Sequence, residues 1–212
     1  MFNLQEFAKE VHQNAVEHGW WEGRRSAAEI RSLIHSEWSE ALEEARAGRP
    51  MVWHRCDAAE TKGIICEEDA NCPCKKDGFE SDCPVFNPKP EGIAVELIDG
   101  VIRILDYMEY MGDFDHECQP EDETTVDECM KNAREYCGHV LQKPIPDMDI
   151  GHVVDALHLF VASARKGREW AMTRAIGLVF AWLWHQGLNP ETICMQKHRY
   201  NKTRPYKHGK KF

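Results

Sequence analysis

The sequence predicts an all-α fold. Apolar residues recur at three- and four-residue intervals along most of the chain, which is the period of an amphipathic helix. Capping signals precede several of these segments, and no segment shows the sustained apolar-polar alternation that is typical of a strand. The 212 residues, 42% of them hydrophobic, are enough for one large core. We therefore predict a single helical domain over residues 1–212.

Seven helices are predicted, in chain order. The first covers residues 2–18 and ends before Gly19, and the second runs from the capping box Ser26-x-x-Glu29 to Gly48. The third covers residues 93–111, and its apolar residues repeat at helical spacing. The other four are predicted at about residues 124–136, 149–164, 169–185 and 190–202.

Two stretches interrupt this pattern. Residues 52–90 are rich in Gly, Pro, Cys, Asp and Lys and have no periodicity, so they are predicted to form an insertion between the second and third helices. Residues 112–148 are predicted to be a second, partly helical insertion. Four cysteines of the first insertion are candidate ligands of a structural zinc ion: Cys66, Cys72, Cys74 and Cys83. Their spacing is not that of a paired Cys-x-x-Cys ribbon, so reduced cysteines without metal are the alternative.

The charge distribution bears on partners and location. The net charge is −10, yet residues 195–212 contain seven Lys or Arg and no Asp or Glu. An acidic body argues against a specific nucleic-acid surface, which needs a net basic face. The longest apolar stretch, residues 175–184, is about half of what a bilayer-spanning helix requires. Because the N-terminus also lacks a signal-peptide pattern, we expect a cytoplasmic protein without membrane attachment.

Two acidic pairs lie in the second and third helices. Glu37 and Glu40 form one pair, and Glu96 and Asp99 form the other; the i, i+3 spacing places each pair on one side of its helix. Both pairs adjoin apolar stripes, where a carboxylate must be protonated, paired or metal-bound. Two such helices packed side by side would direct four carboxylates to one point, so we predict a Mg²⁺ site. Solvated helix surface is the alternative interpretation.

The last helix supplies positive charge. Lys197, Asn201 and Arg204 are spaced by four and three residues, so a continuous helix would carry a cation, an amide and a guanidinium on one face. These groups suit a polyphosphate, whereas a solvated basic tail is the alternative. Trp20 and Trp21, which follow the first helix, are candidates for stacking on a nucleobase, with core packing as their alternative role.

Three segments of the chain resemble the all-α nucleoside triphosphate pyrophosphohydrolases of the MazG and dimeric dUTPase superfamily, with the phage or bacterial MazG-like branch closest: HSEWSEALEE, EGIAVELIDGVIRILDY and KHRYNKTRPYKHGKKF. The resemblance implies a helical bundle that contains the two metal-binding helices. The chain departs from the family pattern in the Cys-rich insertion between these helices, where the family has a short loop. The resemblance also implies assembly into a homodimer or homotetramer.

The activity that the resemblance implies is hydrolysis of a nucleoside or deoxynucleoside triphosphate to the monophosphate and pyrophosphate, to cleanse or recycle nucleotide pools. Mg²⁺ would be the cofactor and Mn²⁺ a substitute, with Glu37, Glu40, Glu96 and Asp99 matching the ligand positions and the last helix near the phosphates. A carboxylate that the metal does not fully engage would accept a proton from the attacking water; Glu40 is our candidate, followed by Glu37.

Two other functions stay open at this point. One is the same chemistry on another phosphate compound, such as phosphoribosyl-ATP. The other is a non-enzymatic, zinc-stabilised helical interaction module, in which the acidic pairs simply face solvent.

Overall fold

The computed structural model describes residues 2–23, 25–55, 89–112, 125–164 and 170–209. In these ranges the chain forms seven α-helices and two short strands, which confirms the mostly helical fold class. The elements are α1 (Leu4–Glu17), α2 (Ala27–Arg46), β1 (Trp53–Arg55), β2 (Lys89–Glu91), α3 (Ile93–Met111), α4 (Val126–His139), α5 (Ile150–Ser163), α6 (Trp170–His185) and α7 (Pro190–Lys202). Within the described ranges, no helix combines the length and the apolar content that crossing a membrane requires.

The helix starts follow the capping signals in the sequence. At the N-termini of α2, α4, α5 and α7, a side chain accepts a hydrogen bond from the backbone N–H three residues further along the chain. These capping residues are Ser26, Thr125, Asp149 and Asn189. Each cap satisfies a backbone donor that the helix itself leaves unpaired, which is why the predicted starts agree with the observed ones.

The prediction that the chain contains no strand is wrong at one place. β1 and β2 pair in antiparallel fashion, with Trp53 opposite Glu91 and Arg55 opposite Lys89. Each strand has three residues and β2 contains a proline, so neither is long enough to show an alternating pattern. The pairing joins the two ends of the predicted insertion. Residues 56–88, and with them the zinc prediction at Cys66, Cys72, Cys74 and Cys83, lie outside the described residues.

Helix α3 is the central element of the core, and α1, α2, α6 and α7 all pack against it. The contact with α2 is close because residue 100 is a glycine: a Cβ at Gly100 would lie 2.0 Å from Nε1 of the fully buried Trp38. The indole of α2 therefore lies directly on the α3 backbone. This approach brings the acidic face of α2 next to that of α3.

The remaining helices extend the same core. Helix α4 packs on α6, and α5 packs on α2 and α6. Four residues of α4 are buried in the cluster that also contains the α3 core: Cys129, Met130, Ala133 and Cys137. The described part of the predicted insertion at residues 112–148 is therefore integrated into the main core rather than appended to it.

Candidate metal centre and adjoining cleft

Three of the four predicted metal ligands meet between α2 and α3. Glu37, Glu96 and Asp99 each offer a carboxylate oxygen, and these atoms all lie within 4.8 Å of one another. Glu37 and Glu96 are buried, with 7% and 5% of their surface exposed, and Asp99 is half-buried. A compact set of oxygen donors is the ligand type that Mg²⁺ prefers.

Glu40 lies apart from this group. It is exposed on α2, one turn beyond Glu37, and its carboxylate is not one of the three that converge. It is still close enough for its negative charge to raise the pKa of Glu37, although burial raises that pKa more. Glu40 thus lies at the rim of the group, where a carboxylate remains accessible to water.

Two cations neutralise part of the acidic group. Nε of Arg103 donates a hydrogen bond of 2.6 Å to Oε1 of Glu37, and Nζ of Lys197 lies 2.7 Å from Oδ2 of Asp99. Lys197 is only 1% exposed, so this predicted phosphate-binding residue is paired with a predicted metal ligand in the structure. The two ion pairs hold carboxylates from both helices in position.

The acidic group contains one carboxyl group more than the two cations can neutralise. Burial raises the pKa of Glu96 to about 8, and the neighbouring carboxylates of Asp99 and Glu37 add to the effect that Lys197 opposes. Burial also raises the pKa of Glu37, against the effect of Arg103. At neutral pH Glu96 therefore carries a proton that a cation can replace. An oxygen-only donor set fits Mg²⁺ or Mn²⁺ better than it fits a metal that prefers thiolate or imidazole.

A cleft opens beside the acidic group, between α1, α3 and the end of α7. Three of the predicted substrate-binding residues line it, namely Trp20, Asn201 and Arg204, together with Asp99 and Arg103. The guanidinium of Arg25 lies 5.5 Å from the centroid of the Trp20 ring. The cleft thus combines carboxylates at one end with cationic and aromatic groups along its walls.

Several polar atoms in this cleft are buried without a hydrogen-bond partner among the described residues. They are Oδ1 of Asn14, Oδ1 of Asn201 and Nε2 of His198, and all three residues line the cleft. The acid nearest to Nε2 of His198 is Glu10, at 3.7 Å. Because buried polar atoms are normally satisfied, such a concentration in one cleft is typical of a surface that receives a polar ligand.

The two adjacent tryptophans occupy different environments. Trp20 lines the cleft, whereas Trp21 is not one of the lining residues. Nε1 of Trp21 donates a hydrogen bond of 2.8 Å to Oδ1 of Asp106, and its ring stacks on Tyr110 with centroids 4.0 Å apart. Of the two tryptophans, the structure therefore places only Trp20 in the lining of the cleft.

The sequence analysis did not identify Arg25, Arg103, Asp106 or His198 as part of the site. Arg103 and Asp106 follow Asp99 at four and seven residues, which places them on the same side of α3, so helical spacing was a usable signal. No comparable signal exists for His198, because a buried and an exposed histidine look alike in a sequence.

Comparisons of the chain with protein-family models, with curated proteins and with solved structures found no match. Membership of the MazG and dimeric dUTPase superfamily therefore stays a prediction that rests on the three resembling segments.

Proposed function

We propose that this protein is a Mg²⁺-dependent nucleoside triphosphate pyrophosphohydrolase, which converts a (d)NTP to the (d)NMP and pyrophosphate. The observation that carries this proposal is the convergence of Glu37, Glu96 and Asp99 from two helices beside a cleft that contains Asn201 and Arg204. Carboxylates alone would repel a polyphosphate. A divalent cation between the carboxylates and the polyphosphate removes this repulsion, because it binds the oxygen atoms of both.

The metal ion and the residues around it would have different roles in the reaction. Bound Mg²⁺ would supply charge neutralisation and a more acidic water. Arg103 and Lys197 orient Glu37 and Asp99 through the ion pairs described above. Arg204 and Asn201, which also line the cleft, would donate hydrogen bonds to phosphate oxygens and hold the chain of phosphates in line for attack.

We assign the removal of a proton from the attacking water to Glu40. Glu37, the other candidate, is engaged by Arg103, whereas Glu40 is exposed and its closest hydrogen-bond partner is the hydroxyl of Ser36 at 3.4 Å. Among the described residues Glu40 forms no ion pair, so this carboxylate next to the ligands can accept a proton.

The resemblance to the MazG and dimeric dUTPase superfamily supplies the rest of the proposal. The arrangement of α1, α2, α3 and α7 is compatible with a MazG-type bundle that carries an insertion between its metal-binding helices. Under this proposal the protein is a cytoplasmic homodimer or homotetramer that acts in nucleotide-pool cleansing or recycling. Mn²⁺ is expected to replace Mg²⁺, and a structural zinc ion in the Cys-rich insertion remains part of the proposal.

The burial of the acidic group weighs against the non-enzymatic alternative. In that alternative the acidic pairs face solvent, but Glu37 and Glu96 are almost fully buried. The phosphoribosyl-ATP alternative uses the same acidic group and differs only in the compound bound in the cleft, so product analysis must separate the two.

The proposal is tested with Glu37→Gln and Glu96→Gln, and with Glu135→Gln as the matched control, because Glu135 is exposed on α4 away from the cleft. Each purified protein is incubated with Mg²⁺ and, separately, with every (d)NTP and with phosphoribosyl-ATP, and monophosphate is resolved from diphosphate. We expect the parent and the control to release pyrophosphate, and the two site variants to lose about 100-fold or more in rate. Calorimetric Mg²⁺ binding should weaken in parallel.

A parent protein that releases no pyrophosphate from any (d)NTP would contradict the proposal, and so would full activity in a folded Glu37→Gln variant. Metal analysis tests the zinc component separately: one equivalent of zinc per chain supports it, whereas a folded, active and zinc-free preparation contradicts it.

A further inference from the structure

Asp106 occupies the wall of the cleft away from the acidic group. It lies on α3, seven residues after Asp99, which corresponds to a rise of about 10.5 Å along a regular helix. Its side chain is 17% exposed. The separation is of the order of the distance from the phosphates of a nucleotide to the far edge of its base.

Two hydrogen bonds fix the orientation of this carboxylate. Nδ1 of His12 lies 2.7 Å from Oδ1 of Asp106, and Nε1 of Trp21 donates to the same oxygen at 2.8 Å. Since an ionised carboxylate only accepts hydrogen bonds, His12 is the donor in the first pair. Oδ1 is thus occupied, while Oδ2 forms no hydrogen bond within the described part of the chain and is available to a ligand.

We infer that Asp106 is a specificity-determining residue that reads the nucleobase and favours bases with an exocyclic amino group. This inference rests on the proposed function. An oriented carboxylate accepts a hydrogen bond from the amino group of cytosine, adenine or guanine. A carbonyl at the same place, as in uracil or hypoxanthine, would set two acceptors against each other in a half-buried site.

Two other groups that line the cleft support the binding of a base in it. Trp20 provides a flat aromatic surface on the lining, and Oδ1 of Asn14 is a buried acceptor without a partner among the described residues. A site whose polar groups are left unpaired by the wrong ligand discriminates more strongly than an apolar pocket does. His12 and Trp21 act as positioning residues, because they contact Asp106.

The test compares two matched substrate pairs in which a carbonyl replaces the amino group of the base, dCTP with dUTP and ATP with ITP. We expect the parent to favour the amino-bearing member of each pair by about tenfold to 100-fold in kcat/KM. In Asp106→Asn the amide can turn its NH₂ toward a carbonyl, so each ratio should fall to about one or invert. Asp155→Asn, an exposed change on α5, is the control and should keep the parent ratios.

Equal kcat/KM within both pairs for the parent, or unchanged ratios in a folded Asp106→Asn variant, would overturn the inference and leave the hydrolase proposal standing. If the parent hydrolyses no triphosphate, the test uses calorimetric binding of CMP against UMP and of AMP against IMP. An amino-group preference that Asp106→Asn abolishes then supports the inference although the hydrolase proposal has failed, and no preference overturns both.

If Asp106→Asn does not fold, Asp106→Glu takes its place, because it keeps the charge but displaces it by one methylene. Asp106→Glu should lower the ratios of kcat/KM, and unchanged ratios would overturn the inference.

Discussion

Replacing Glu96 with Gln separates the cost of burying its charge from its role as a metal ligand. The pKa of Glu96 is raised from 4.5 to about 8, mainly by burial. Between these two pH values the folded chain holds a proton that the unfolded chain releases, so the stability of the metal-free protein falls as the pH rises through this window. Gln resembles the protonated acid and does not carry this cost.

The structure sets the size of the expected difference. A pKa that is raised from 4.5 to about 8 corresponds to about 4 to 5 kcal/mol of unfolding free energy above pH 8, and to about 3 kcal/mol at pH 7. In EDTA, Glu96→Gln should therefore match the parent near pH 5 and become progressively more stable than the parent toward pH 9. Saturating Mg²⁺ should stabilise the parent at high pH, because binding to the folded state alone adds stability, and should stabilise the variant much less.

Urea denaturation at pH 5, 7 and 9, with EDTA and with Mg²⁺, measures these quantities. Glu135→Gln serves as the control and should follow the parent under every condition, because Glu135 is exposed on α4. A difference between Glu96→Gln and the parent that stays constant from pH 5 to pH 9 would refute the reasoning. Equal stabilisation of both proteins by Mg²⁺ would refute the ligand role.

Three further perturbations test other parts of the structure. Gly100→Ala places a Cβ 2.0 Å from Nε1 of Trp38, so we expect the free energy of unfolding in urea to fall by about 1 to 3 kcal/mol. Calorimetry should also show weaker Mg²⁺ binding. Unchanged binding would show that the contact between α2 and α3 does not set the ligand geometry. Lys197→Met leaves the carboxylate of Asp99 without its cation, so the free energy of unfolding of the metal-free protein should fall by about 3 to 5 kcal/mol. Mg²⁺ should restore part of this stability. A variant as stable as the parent in EDTA would contradict the prediction. Ser26→Ala removes the cap of α2 and should cost about 1 kcal/mol in thermal unfolding while Mg²⁺ affinity stays the same, and a large change in affinity would be the unexpected result.

The helices were predictable because local chemistry determines where they begin. The side chains of Ser26 and Asn189 cap the helices at the positions that their sequence context indicates. The strand pair was not predictable from the same kind of reasoning. β1 and β2 consist of three residues each, and their pairing depends on a partner that is distant in sequence.

The candidate site was predictable in part, for a similar reason. The i, i+3 spacing of Glu96 and Asp99 identified one side of α3, and the structure joins Glu37 to it. Spacing could not show that Glu40 lies outside the group or that Lys197 is buried, because both depend on how α2 and α7 meet α3. Relative helix placement is a tertiary property that no single helix encodes.

The pairing of β1 with β2 also has a consequence for how the chain folds. Residues 47–92 separate α2 from α3, so bringing Glu37 and Glu96 together joins parts of the unfolded chain that are distant in sequence, which costs chain entropy. The length-dependent part of that chain entropy is about 3 kcal/mol. Contacts between residues so distant in sequence also form slowly during folding. A short turn between Arg55 and Lys89 would keep the strand register, lower this entropic cost and speed the assembly of α2 on α3, which makes the base of the strand pair the natural place at which to shorten the chain.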